Sequence, residues 1–273
     1  MGALRVARDV LRPFIDGPLE YRLRRYANRI VPPVHLSGAP HLFHACAWKT
    51  GSQWVRLILS DPRVLRHCGH APFIWAHLRD LPNHRDTYLR TQRSLLLTCY
   101  VKPEDVFALR DQPMRGVFVI RDPRVLLASW ISSFRYTHRP NTGVLAHRAV
   151  MSEMSETKAY QYATHAFVTE FKPLLEAWLC TGSETCVARF EDLTGMESFQ
   201  AWKSIFLHLE IDIPDGVLAS VLQTYRIDAL SVRNPDSKAD KYALRGQRRL
   251  SELVDIPEPI ERLAKAYGYP ARQ

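Results

Sequence analysis

The sequence predicts an α/β protein, a three-layer P-loop-like fold in which helices flank a central parallel β-sheet. Three observations carry that expectation. Short apolar runs at 41–46, 94–99, 116–120 and 185–190 alternate with amphipathic stretches of helix length. One of them, Gly116-Val-Phe-Val-Ile120, is apolar at successive positions, as suits a strand covered on both faces. Between the first apolar run and the first amphipathic stretch stands Lys49-Thr-Gly-Ser52, within HLFHACAWKTGSQWVRLILS from His41 to Ser60.

That stretch reads as strand, phosphate-cradling turn and helix. The first N–H groups of a helix lack intrahelical partners and carry the positive end of its dipole, so a phosphate or sulfate fits there. Gly51 allows close backbone approach, Ser52 is expected to cap a helix beginning near Gln53, and Lys49 brings a mobile positive charge. The order differs from a Walker A loop, Gly-x-x-x-x-Gly-Lys-Ser/Thr, because Lys49 precedes its glycine. A plain strand-to-helix turn with a surface lysine is the simpler alternative.

Composition bounds the rest. A chain of 273 residues with 46% hydrophobic content can bury a sizeable core, and without a linker-like stretch one domain is expected over 1–273. No apolar run approaches the roughly 18 residues a membrane span needs. The five cysteines lack Cys-x-x-Cys spacing and read as reduced residues, and no secretion signal opens the chain, so a cytoplasmic protein is expected. A net charge of +9 suits an anionic partner: nucleic acid, membrane surface or a small polyanion. Much of the excess lies in a basic, helix-like extension over 1–36, read as packed on or beside the domain.

Taken in order, Val31-Pro32-Pro33 ends that extension, and strand His41–Cys46 leads through the turn to a helix over Gln53–Ser60, stopped by Asp61-Pro62. Val64–Leu81 reads as a loop with at most a short helix. Ser94–Cys99 is strand-like, and Pro103 opens a short helix over Glu104–Arg110. After strand Gly116–Ile120, Asp122 caps and Pro123 begins a helix that runs past Ser129 toward Phe134. Arg121 thereby stands at a strand's carboxyl end, the rim where ligands bind in open α/β sheets. Polar His138–Lys158 reads as a loop able to cover a site, ahead of one long amphipathic helix over Thr157–Leu179. Strand Thr185–Phe190 takes Glu191-Asp192 to the same rim. Helices over Ser198–Leu209 and Asp215–Tyr225, a basic irregular stretch Ile227–Arg249 and a helical tail complete the chain.

Several of these segments also carry a family resemblance. Lys-Thr-Gly-Ser-Gln-Trp from Lys49 to Trp54 resembles the 5′-phosphosulfate loop of the sulfotransferases that use 3′-phosphoadenosine 5′-phosphosulfate (PAPS). Val117-Phe-Val-Ile-Arg121-Asp-Pro-Arg with Ser129 resembles their 3′-phosphate motif. Phe190-Glu-Asp-Leu193, the stretch from Thr224 to Asn234-Pro235, and Leu244-Arg245-Gly246 resemble further segments, in the family's order over roughly residues 41–250.

The resemblance implies transfer of a sulfuryl group from PAPS to a hydroxyl or amine of a small-molecule acceptor, with PAP as product. Lys49, Thr50, Gly51, Ser52 and Gln53 would hold the 5′-phosphosulfate; Arg121, Ser129, Arg245 and Gly246 the 3′-phosphate; Trp54, Phe190 and Thr224 the adenine. A core role is the plainer reading of Trp54. Two positions depart from the family pattern: Phe190 stands where the family has tyrosine, and Leu244 replaces an arginine. Lys49 and Ser129 are the catalytic candidates beside a base, Lys49 by meeting charge on the leaving phosphate oxygen; because a sulfuryl group carries less negative charge than a phosphoryl, no metal is expected. The family's usual histidine base is absent from Leu97-Thr-Cys-Tyr100; other sulfotransferases, acting on polysaccharides, take a glutamate from the loop after the phosphate helix, and that resemblance makes His70 the first candidate, ahead of His67, His77, a loop carboxylate or no dedicated base. No nucleic-acid partner is expected, and the sequence leaves oligomeric state open. The alternatives are a P-loop-like kinase using ATP and a nonenzymatic anion- or nucleic-acid-binding module.

Overall fold

A computed structural model describes residues 36–132, 134–135, 142–226 and 256–271. The expected N-terminal extension, the Ile227–Arg249 stretch, and with it Arg245 and Gly246, lie outside the described residues. Five parallel strands form one sheet in the order β2-β3-β1-β4-β5: β1 His41–Cys46, β2 Ala71–Ile74, β3 Ser94–Cys99, β4 Met114–Ile120 and β5 Thr185–Arg189. Helices α1 Ser52–Leu59 and α2 Pro62–Cys68 separate β1 from β2, and α3 Trp75–Asp80 and α4 Pro82–Arg90 separate β2 from β3. Helix α5 Pro103–Phe107 precedes β4. The long crossover to β5 holds α6 Pro123–Ser132, α7 Thr142–Ser152, α8 Glu156–Ala166 and α9 Lys172–Leu179. Helices α10 Phe190–Thr194, α11 Ser198–His208, α12 Asp215–Thr224 and α13 Glu258–Ala266 follow.

The sheet is covered on both faces, which accounts for its continuous apolar strands. Phe43, Ala45, Phe118 and Ile120 face one core with Trp130, Phe167 and Trp178. Their neighbours Leu42, Val117 and Val119 face the other, with Val55, Ile58 and Trp202. Alternate side chains of each strand thus enter opposite layers. Gly116 makes room for Phe43: a β-carbon there would come within 2.4 Å of the ring. No described helix is long and apolar enough to cross a membrane.

Several expectations change. Val64–Leu81 is not a loop: Asp61 caps α2 by accepting from the Arg63 amide at 2.8 Å, and Ala71–Ile74 joins the sheet as its edge. Most of the proposed covering loop is helix α7. The long helix over Thr157–Leu179 is divided by a wider π turn at Phe167–Phe171, just before Pro173. A proline inside a helix has no N–H to donate and crowds the carbonyl four residues back, so the ladder widens ahead of it. All five cysteines are free; Cys46, Cys68 and Cys99 are buried, Cys186 is half-buried and Cys180 is exposed.

Candidate active site

The turn after β1 has the backbone of an anion cradle. From Trp48 to Ser52 φ alternates in sign, positive only at Lys49 and Gly51, both at 72°. Such alternation turns successive peptide N–H groups to one side, forming a concave nest that suits an anion. Glycine takes this conformation without penalty, but for Lys49 it costs on the order of 1 kcal/mol or more. Strain at the residue that also carries the loop's positive charge is typical of a functional site. Thr50 is buried and fastens the turn, its hydroxyl donating to the Ala47 carbonyl at 2.7 Å.

Helix α1 extends the cradle. Its ladder begins where the Trp54 and Val55 amides donate to the Gly51 carbonyl, at 2.8 and 3.1 Å, so the amides of Gly51, Ser52 and Gln53 stand ahead of it. Ser52 does not cap the helix as expected. Gly51 is the cap residue, in left-handed conformation, and Ser52 Oγ instead lies 2.5 Å from the Tyr100 hydroxyl. Gln53 is exposed.

The second arm meets the first directly. Arg121, just beyond β4, donates from Nη1 to the Lys49 carbonyl at 3.5 Å, and its guanidinium stands 5.3 Å over the Phe190 ring. Phe190 in turn packs on Gly51 and lies edge-on to Trp54 at 5.9 Å. The parallel order explains this convergence. Strands β1, β3 and β4 are neighbours, so the turn, Tyr100 and Arg121 all leave carboxyl ends at the place where the chain crosses from one side of β1 to the other.

Trp54 takes the core position that was its plainer reading, beside the cradle. It is buried, its indole N–H donates to the Tyr225 carbonyl at 2.6 Å, and Trp202 packs edge-on to it at 5.6 Å. This brings the end of α12 beside the cradle. The Thr224 hydroxyl there donates to the Ser220 carbonyl and accepts from Arg63 Nη2 at 3.1 Å. Ser129 lies buried within α6, the helix that Arg121-Asp122 leads into.

The turn around Arg121 is fixed from behind. Asp122 accepts from the Arg124 amide at 3.0 Å, as a capping aspartate does. Glu191 accepts from the Asp122 amide at 3.2 Å and from the Tyr269 hydroxyl at 2.7 Å, tying the C-terminal residues to the rim.

His70 is not brought to this site. It immediately precedes β2, at the amino end of the sheet, whereas Lys49 follows the carboxyl end of β1. Its ring is buried, with Nδ1 2.7 Å from the Cys68 carbonyl and Nε2 3.0 Å from the Ala39 carbonyl, and burial lowers its pKa to about 4. A side chain held between two backbone carbonyls is structural, so the expected base is withdrawn. His67 likewise faces the Asp212 carbonyl, at 3.0 Å.

Two aromatic residues at the site were not singled out from sequence. Trp48 stacks on Phe134 at 5.5 Å, packs on Phe171 at 5.3 Å and meets Tyr100 edge-on at 6.2 Å, which places an aromatic wall beside Lys49. Tyr100 directly follows β3. An aromatic hydroxyl at the end of a strand neighbouring β1 was the available signal.

The fold is that of the sulfotransferases. The crystal structure of mouse sulfotransferase SULT7A1 complexed with PAP superposes with a TM-score of 0.52 at 13% sequence identity, covering 70% of this chain and 66% of the mouse chain. This chain therefore spans just under two thirds of that protein's length. The sulfotransferase domain of the Synechococcus PCC 7002 olefin synthase matches over 89% of this chain and 99% of its own, at 14% identity and a TM-score of 0.49. No protein-family model matches the sequence, and no curated protein matches it.

Proposed function

We propose that this chain is a single-domain, PAPS-dependent sulfotransferase that moves the sulfuryl group to a hydroxyl or amine of a small-molecule acceptor and releases PAP. The observation that carries the reading is the contact of Arg121 with the Lys49 carbonyl, which joins two cationic rim segments around one cradle. A nucleotide phosphorylated at both ends of its ribose needs two such arms at close quarters. Phe190 and Trp54, packed edge to face beside them, supply an aromatic surface for a base.

In the reaction, the acceptor oxygen or nitrogen attacks sulfur, the bond from sulfur to the bridging oxygen breaks, and the acceptor's proton departs to solvent or to a base. Charge grows on the leaving phosphate oxygen, where Lys49 and the loop amides meet it. Ser129 and Arg121 position the other end of the nucleotide. The aromatic wall at Trp48 favours an acceptor with an apolar body, and three buried thiols suit a reducing, cytoplasmic setting.

The test is PAP release from PAPS across a panel of small hydroxyl and amine acceptors, with ATP and magnesium as the comparison donor. Turnover of PAPS that disappears in Lys49→Ala while the fold survives is the expected result. Transfer from ATP with none from PAPS overturns the proposal.

A further inference from the structure

Strand β3 pairs with β1 through an irregular register. Phe43 stands opposite Leu96, yet Ala45 stands opposite Cys99, so β3 has one residue more than β1 over the same span. This is a β-bulge, and it carries Thr98 in the left-handed region at φ 59°. A β-branched residue is strained there. The bulge also changes which way β3 faces: Leu95 and Leu97 enter the core beneath α1, but Cys99 enters the opposite one. After the flip the next residue, Tyr100, turns toward α1, where its hydroxyl lies 2.5 Å from Ser52 Oγ. Without the extra residue Tyr100 would share the face of Leu96, away from that helix.

We propose, on the reading of this site as a PAPS cradle, that Tyr100 is a positioning residue: its phenol donates to Ser52 Oγ and thereby turns the serine's own proton into the cradle toward the bound anion. The phenol is the more acidic hydroxyl of the pair and the better donor. Burial pushes its pKa up to about 12, so it keeps its proton at neutral pH and does not replace the missing histidine base. Trp48, edge-on at 6.2 Å, holds the ring from the other side.

The test is a double-mutant cycle in the full chain, with Tyr100→Phe, Ser52→Ala and the pair, titrating PAP and inorganic pyrophosphate by calorimetry. Each single change weakens anion binding by roughly threefold to tenfold, and the double variant is no weaker than Ser52→Ala alone, because the phenol acts through that hydroxyl. In a Ser52→Thr background, which keeps the hydroxyl, Tyr100→Phe again weakens binding relative to Ser52→Thr alone. Thermal unfolding of each variant separates lost binding from lost fold. Parent-like binding by Tyr100→Phe, or penalties that simply add, overturn the proposal. If the parent binds pyrophosphate but not PAP, the nucleotide reading fails while the cycle on pyrophosphate still decides the role of Tyr100; binding of neither anion overturns both.

Discussion

The ring of Phe190 lies so close to Gly51 that a β-carbon on the glycine would meet Cε2 at 2.3 Å. One residue thus serves the cradle twice, since Phe190 also underlies the Arg121 guanidinium. Gly51→Ala adds both a clash and a left-handed alanine, and is expected to cost about 1–3 kcal/mol of stability together with anion binding. Urea unfolding and a PAP titration check this. Adding Phe190→Ala should recover part of the stability and none of the binding.

Stability should fall with pH below neutrality. His44 is wholly buried on β1, neither ring nitrogen has a hydrogen-bond partner among the described residues, and burial, aided by nearby Arg56, lowers its pKa to about 3; His70 is lowered to about 4. Unfolded histidines titrate near 6.5, so below that pH the unfolded chain takes up protons that the folded chain refuses. The stability is complete above pH 6.5 and declines as pH falls toward 4, by up to about 1.4 kcal/mol per pH unit for each of the two rings. Urea midpoints at pH 7, 6 and 5 measure the slope. His44→Leu should remove one proton's share of it; an unchanged slope would show that His44 contributes nothing.

Two arginine pairs near the rim should differ in worth. Arg124 is 6% exposed and holds Asp122 Oδ2 at 2.8 Å, Glu261 at 3.4 Å and the Pro270 carbonyl at 2.9 Å, so it joins the Arg121 turn to α13. Arg124→Ala leaves the partly exposed Asp122 and Glu261 carboxylates without this partner and is expected to cost about 1–3 kcal/mol. Arg189 pairs with Asp192 at 2.7 Å, but both side chains are well exposed. Arg189→Ala should cost about 1 kcal/mol or less. Chemical denaturation of both variants decides the ranking.

Where physics acted locally, the sequence was legible. The doubly buried strands announced themselves as apolar runs, and the Lys49–Trp54 turn and the Asp122 cap were visible because glycine, aspartate and proline have narrow backbone uses. Strand β2 was hidden by its four-residue length and by Pro72, which a sheet edge tolerates. The strain at Lys49 and the bulge at Thr98 were invisible, since lysine and threonine are poor left-handed residues and only tertiary contacts hold them there. His70 misled for the related reason that proximity along the chain to the cradle helix says nothing about which end of the sheet a residue reaches. The partnership of Ser52 with Tyr100 likewise spans two strands, beyond any local signal.

Whether Lys49 and Arg121 grip one nucleotide is decided by calorimetric titration of PAP into the parent chain and into Arg121→Ala and Lys49→Ala. The parent should bind with micromolar or tighter affinity and each variant should lose at least about tenfold, as expected for a charge-assisted phosphate contact. No binding by the parent, or parent-like affinity in both variants, would contradict it.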